Sequence, residues 1–158
     1  MQIGKRNNIP GRVFPAGRES VNIAGGRSPV QPEGFSLGHV VLRPDGGQVP
    51  WHNHPQEEIY YLLTGCGEMC VADEIQEVAA GDVVYIPPFA FHQLTNTGTV
   101  ELEFIYCYAP AGDVAHWRQE LYGSLPRAGQ GAPALPAGAA QQQSGTAMQD
   151  TNKDSSRT

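Results

Sequence analysis

Residues 46–65 read Gly46-Gly47-Gln48-Val49-Pro50-Trp51-His52-Asn53-His54-Pro55-Gln56-Glu57-Glu58-Ile59-Tyr60-Tyr61-Leu62-Leu63-Thr64-Gly65, and a second stretch runs from Gly81 through Pro87, Phe89 and His92 to Asn96. On an extended chain, side chains alternate between faces. His52, His54 and Glu58 are separated by even numbers of residues, so they point the same way if the strand stays regular. A fourth ligand then has to come from another strand. His92, between Ile86-Pro87-Pro88 and Gln93-Leu94-Thr95, sits where a neighbouring strand begins. Neutral imidazoles with one carboxylate suit iron, manganese, cobalt, nickel, copper or zinc, and four protein ligands leave two positions of an octahedron open. Substrate, water or dioxygen can bind at such positions.

The first stretch has the form G-x5-H-x-H-x3-E-x6-G, and the second G-x5-P-x4-H-x3-N. Together they resemble the two motifs of the cupin family at every position except one, where the inner glycine of the second motif is Phe89. The motifs cover about a third of the chain, and the surrounding strands extend the resemblance to roughly residues 18–110. The resemblance implies an all-β, cupin-like double-stranded β-helix, a jelly-roll barrel. In it His52, His54, Glu58 and His92 would hold one divalent transition metal ion, Fe2+ as first choice, with Mn2+, Zn2+, Ni2+, Co2+ or Cu2+ as alternatives. The glycine normally found at position 89 permits a tight turn before the metal histidine. Phenylalanine there implies a different loop conformation or an aromatic lid at the pocket mouth.

Strand signals agree with a barrel. Gly11–Phe14, Ser20–Ile23, Phe35–Arg43, Glu57–Thr64, Glu68–Ala72, Glu74–Val78, Asp82–Ile86, Phe91–Asn96 and Val100–Ala109 are short candidate strands at regular spacing with glycine turns. Residues 1–34 are rich in Gly, Pro, Asn and Arg and read as an N-terminal arm, of the kind that in related folds pairs with an edge strand of a second subunit. After Asp113, a plausible N-cap, Val114–Tyr122 reads as one short C-terminal helix ending at Gly123, with Val114, Trp117, Leu121 and Tyr122 as the stripe that docks on the barrel exterior. Residues 35–123 thus form the barrel and helix. Residues 124–158 contain no aromatic residue, valine or isoleucine and are dominated by Ala, Gly, Gln, Pro and Ser, a composition that reads as a disordered tail.

Parity suggests what lines the pocket. Tyr60 shares the parity of His52, His54 and Glu58, so Glu58 and Tyr60 are the candidate catalytic residues beside the metal. On the last strand Leu102, Phe104, Tyr106 and Tyr108 alternate with Glu101, Glu103, Ile105 and Cys107, which turns the aromatic set inward, towards a small organic substrate or towards ordinary core packing. His39 and Arg43 share a face with Phe35, Leu37 and Val41. If that face looks inward they could orient a substrate carboxylate or hydroxyl; if outward they are surface residues. Cys66, Cys70 and Cys107 cannot all pair within one chain. Cys66 and Cys70, four residues apart on one strand, are too distant to bridge and read as small buried hydrophobes, with a thiol near the metal as the alternative.

The formal net charge is −6, with no basic cluster to neutralise phosphates, which argues against nucleic-acid binding. No apolar run approaches a membrane span, and Met1–Asn7 lacks the apolar stretch of a secretion signal, so the expectation is a cytoplasmic protein with no membrane partner. The resemblance implies a homodimer acting on a small-molecule substrate. A non-haem Fe(II)-type dioxygenase, an oxidoreductase, is the first expectation. A metal-dependent isomerase, decarboxylase or lyase acting on a sugar or carboxylic acid comes second, and a non-catalytic small-ligand binding protein third.

Overall fold

The computed structural model describes residues 1–112 and 116–122. After a single 3-10 turn at Arg6–Asn8 the chain forms β1 (Arg12–Phe14), β2 (Arg18–Ala24), β3 (Ser36–Leu42), β4 (Gln48–His52), β5 (Glu57–Thr64), β6 (Cys66–Val71), β7 (Glu74–Ala79), β8 (Val83–Ile86), β9 (His92–Asn96), β10 (Leu102–Ala109) and α1 (His116–Leu121). Two antiparallel sheets enclose the core. One has the order β1-β2-β3-β10-β5-β8 and the other β4-β9-β6-β7, so neighbours in space are often distant in sequence, as in a jelly roll. The strands of the segment read as an arm lie in the first sheet: β1 pairs with β2, and β2 with β3. The tail, 124–158, lies outside the described residues.

Alternation decides which side chains enter the barrel. On β3 Ser36, Gly38, Val40 and Leu42 are buried while Leu37, His39 and Val41 face out; on β10 Leu102, Phe104, Tyr106 and Tyr108 are buried. His39 and Arg43 therefore lie on the outer face, where His39 Nε2 meets Glu103 Oε2 at 3.0 Å. The core joins Val40, Leu42, Val49, Leu62, Met69, Ile86, Leu94 and Phe104 across both sheets, with Tyr60, Tyr106 and Tyr108 at its functional end. Tyr106 lies opposite Gly38 in the β3–β10 register, and a Cβ at Gly38 would come within 2.2 Å of the Tyr106 ring. Glycine is thus required there, because the tyrosine ring crosses the neighbouring strand.

β4 is the strand that sequence analysis left out, and the reason is physical. All five of its residues are buried, so it shows no alternation, and Pro50 sits at its centre. The structure accommodates the proline by shifting the β4–β9 register between Val49 and His52, where no ladder hydrogen bond is required of it. The helix differs too. Trp117 packs against the core, but Leu121 and Tyr122 are exposed, at 40% and 80%, and the buried polar residue on the Trp117 face is Glu120. Val114 lies outside the described residues. Cys66 is exposed, as the alternation of β6 dictates; Cys70 departs from that alternation and is buried, and burial with the neighbouring Glu68 charge pushes its thiol up to about 11. No helix among the described residues is long and apolar enough to cross a membrane.

Candidate metal centre

The four ligand candidates meet at one end of the barrel, but not by the parity of a single strand. β4 ends at His52, the chain turns through His54 between the sheets, and Glu58 belongs to β5 of the opposite sheet. His92 opens β9 directly across from His52 in the ladder. All four side chains are buried. The imidazole centroids lie 4.1 Å apart for His52 and His92, 5.1 Å for His54 and His92, and 5.7 Å for His52 and His54. One ligand atom from each ring falls within 4.8 Å of the others.

Hydrogen bonding fixes which nitrogen faces the centre. Nδ1 of His52 lies 2.6 Å from the Pro50 carbonyl, Nδ1 of His54 3.1 Å from that of Gln56, and Nδ1 of His92 3.0 Å from that of Ala90. A carbonyl oxygen only accepts, so each Nδ1 carries the proton, and in a neutral ring each Nε2 presents a lone pair. His54 Nε2 and His92 Nε2 stand 3.0 and 3.4 Å from the same Glu58 Oε2. His92 Nε2 is buried without a hydrogen-bond partner. Lone pairs converging on a carboxylate oxygen repel unless a cation lies between them, so the three histidines could hold a divalent metal ion, with Glu58 placed to add a carboxylate oxygen. Burial pushes the Glu58 carboxyl up, but with a proton in place of the cation, hydrogen bonds from His54 and His92 and their charges outweigh it and hold the group below its usual range. The pull of two imidazoles already favours the anionic ligand form.

Tyr60 is buried, its ring set edge-on to His92 at 6.1 Å and against Phe104 at 4.5 Å. Burial first, and then the Glu58 charge, raise its hydroxyl well above the ordinary phenol value, so it stays protonated. Tyr106 is raised likewise, by burial and by Tyr108, and donates to Asn22 Oδ1 at 2.9 Å; Tyr108 donates to the Gly112 carbonyl at 2.8 Å. These tyrosines, with Val40, Val49, Phe104, Arg18 and Trp117, enclose a cavity of about 10 Å³ next to the ligands, room for about one water molecule.

Arg18, Val40, Val49 and Trp117 are the lining residues not named as such from the sequence. Arg18 lies in the segment read as an arm, and only its parity with Ser20, had the strand been extended backwards, would have exposed it. Phe89 shows the opposite. It adopts φ 62°, the left-handed conformation of the glycine it replaces, and its N–H donates to the His54 carbonyl at 2.8 Å. Its side chain is 66% exposed and lies outside the cavity lining, so the turn is kept and no aromatic lid forms.

The description "cupin domain" matches residues 38–108. The uncharacterized protein MJ1618 of Methanocaldococcus jannaschii is 43% identical over 76 residues, 48% of this chain and 60% of that protein. An oxalate-binding protein of Thermotoga maritima is 38% identical over 63 residues, 39% of this chain and 52% of that protein. The chain thus spans about half the length of these curated relatives. Among solved structures, KdgF from Halomonas sp. superposes with a TM-score of 0.62 at 16% identity, covering 72% of this chain and 96% of that one, a likeness of fold. With the barrel topology, both motifs and the three-histidine cluster in agreement, residues 38–108 are a cupin domain.

Proposed function

We propose that the chain is a metal-dependent enzyme acting on a small organic molecule, with Lewis-acid chemistry of the isomerase, decarboxylase or lyase kind ahead of dioxygen activation. The observation that carries this reading is the coincidence of a buried three-histidine, one-glutamate donor set with phenols that burial keeps protonated. A divalent ion bound there would polarise a carbonyl or carboxylate oxygen of the substrate. Tyr60, beside His92 and Glu58, is the candidate hydrogen-bond donor to that oxygen, and Val40, Val49 and Phe104 supply apolar walls. The sequence alone put an Fe(II) dioxygenase first. The buried Tyr60 hydroxyl beside the donor set, able to hydrogen-bond a substrate oxygen polarised by the metal, is what favours the Lewis-acid reading.

The test is turnover of a panel of small carbonyl and carboxylic substrates by protein reconstituted with Zn2+, Mn2+, Co2+ or Fe2+, with and without oxygen. Oxygen-independent turnover with zinc supports the reading, because Zn2+ has no redox chemistry. Turnover that needs both Fe2+ and oxygen overturns it in favour of the dioxygenase. Tight binding without turnover across the panel favours a non-catalytic binding protein.

We also propose a homodimer through the outer face of β5 and β8. Ile59, Tyr61, Leu63, Val83 and Tyr85 are exposed there, and Ile59 faces Tyr85 and Tyr61 faces Val83 in the ladder, making one apolar patch on an edge strand. Light scattering of the parent and of Tyr85→Glu checks it. A parent protein that is monomeric at high concentration overturns it.

A further inference from the structure

Among the described residues, Arg18 is the one lysine or arginine lining the cavity beside the candidate ligands. It is only 4% exposed, and its guanidinium lies over the Phe14 ring, 3.9 Å from the centroid. Its charge reaches both Tyr60 and Tyr106. Its partner is a carboxylate: Arg18 Nη2 donates to Glu120 Oε2, and Glu120 is itself 3% exposed. The pair is incompletely satisfied. Arg18 Nε and Glu120 Oε1 are both buried without a hydrogen-bond partner. A guanidinium matches a carboxylate best through two parallel hydrogen bonds, and here that second bond is missing.

The element that supplies Glu120 is short. α1 has six residues, shorter than a helix that sustains itself in water, and it turns Leu121 and Tyr122 to solvent. Trp117 and the Glu120–Arg18 pair are its contacts with the cavity. The metal cavity, with room for about one water, admits no organic molecule as it stands. Trp117 also lines a second pocket, of about 150 Å³, together with Phe14, Ser20, Asn22, Arg12 and Arg27 among others. Trp117 lines both spaces, so its displacement would join them, and Arg18 would then face the combined volume.

We propose that Arg18 is the anion-recognising residue of this site, that Glu120 occupies its guanidinium when no substrate is bound, and that the substrate carries a carboxylate that takes the place of Glu120. The proposal rests on the metal-enzyme reading and names its substrate class. Exchange of one carboxylate for another keeps the buried guanidinium paired throughout, whereas a neutral substrate that displaced Glu120 would leave a buried, unpaired cation. Selectivity for an acid over its amide follows from the same requirement.

The experiment is calorimetric titration of the full chain, metal-loaded and metal-free, with acetate, pyruvate and oxalate as probes and pyruvamide as the uncharged control. Glu120→Ala, which removes the resident carboxylate and keeps a good helix former, should bind at least one of the acids about tenfold more tightly than the parent and leave pyruvamide unaffected. Arg18→Met combined with Glu120→Met replaces the pair by apolar side chains, so that neither charge is left buried alone; it should lose at least about tenfold in acid affinity at unchanged metal content. Equal acid affinity in the parent and Glu120→Ala, or no acid binding by either, overturns the proposal. So does full acid affinity in the double variant, which would mean that the metal alone holds the carboxylate. Should the double variant fail to fold, the Glu120→Ala comparison decides. If the parent retains no metal, the metal-enzyme reading fails, while the Arg18 comparison is still read on the metal-free protein.

Discussion

Asn96 closes the second motif four residues after His92, and its geometry makes it a structural residue whose loss can be weighed. It is 2% exposed. Its Nδ2 donates to the Leu42 carbonyl at 3.0 Å and the Val100 carbonyl at 2.8 Å, and its Oδ1 accepts from the Gly98 N–H at 2.9 Å. One side chain thus ties the end of β9 to the end of β3 and to the loop leading into β10. Asn96→Ala removes all three bonds. At about 1 kcal/mol each the loss is about 3 kcal/mol, raised somewhat wherever a buried carbonyl gains no water in exchange. For a domain of this size that lowers Tm by about 10 °C. Asn96→Asp should be no better, since it keeps the acceptor but sets a carboxylate against two carbonyl oxygens. Urea denaturation of the metal-free proteins gives the free energies, and metal content of the folded variants gives the control. A cost below about 1 kcal/mol, or a fall in metal retention at unchanged stability, would refute this account and make Asn96 part of the chemistry.

Three further outcomes follow from the centre and its approach loop. His54→Ala should lose most of its bound metal while keeping the β-sheet circular dichroism, and a chelator should lower Tm of the parent but not of this variant; full occupancy in the variant would show the ligand set to be wrong. Phe89→Gly should raise stability by up to about 1 kcal/mol, the relief of the left-handed φ exceeding the extra chain entropy of glycine, and a loss above 1 kcal/mol would mean that the ring docks on something. The Glu58 carboxyl, despite its burial, is held below the ordinary carboxylate range by His54 and His92. A depressed folded value means stability that is present above the unfolded pKa and lost as pH falls through the folded one. The metal-free parent should therefore weaken below about pH 4.5, and Glu58→Gln should flatten that limb of the stability curve; an identical acid limb in both proteins would sink the assignment.

Local chemistry was legible without the structure. The spacing of His52, His54, Glu58 and His92 and the resemblance of both motifs named residues that the fold does bring together, because motif spacing reflects a turn and a ladder register that recur wherever this barrel is built. Alternation on β10 correctly turned Phe104, Tyr106 and Tyr108 inward, since a strand with one buried face carries that face in its sequence period. Where burial is two-sided the period vanishes, and β4 was missed for that reason although it carries His52. Parity could not say which face is which, so His39 stayed ambiguous until the barrel closed. The shared focus of the ligands was also beyond it: His52 and Glu58 belong to opposite sheets, and only the crossing between those sheets aims them at one point. Arg18 and Glu120 are 102 residues apart in sequence, and neither sits in a motif. Their meeting beside the metal centre depends on long-range packing of β2 and α1 against the barrel, and no local pattern encodes it.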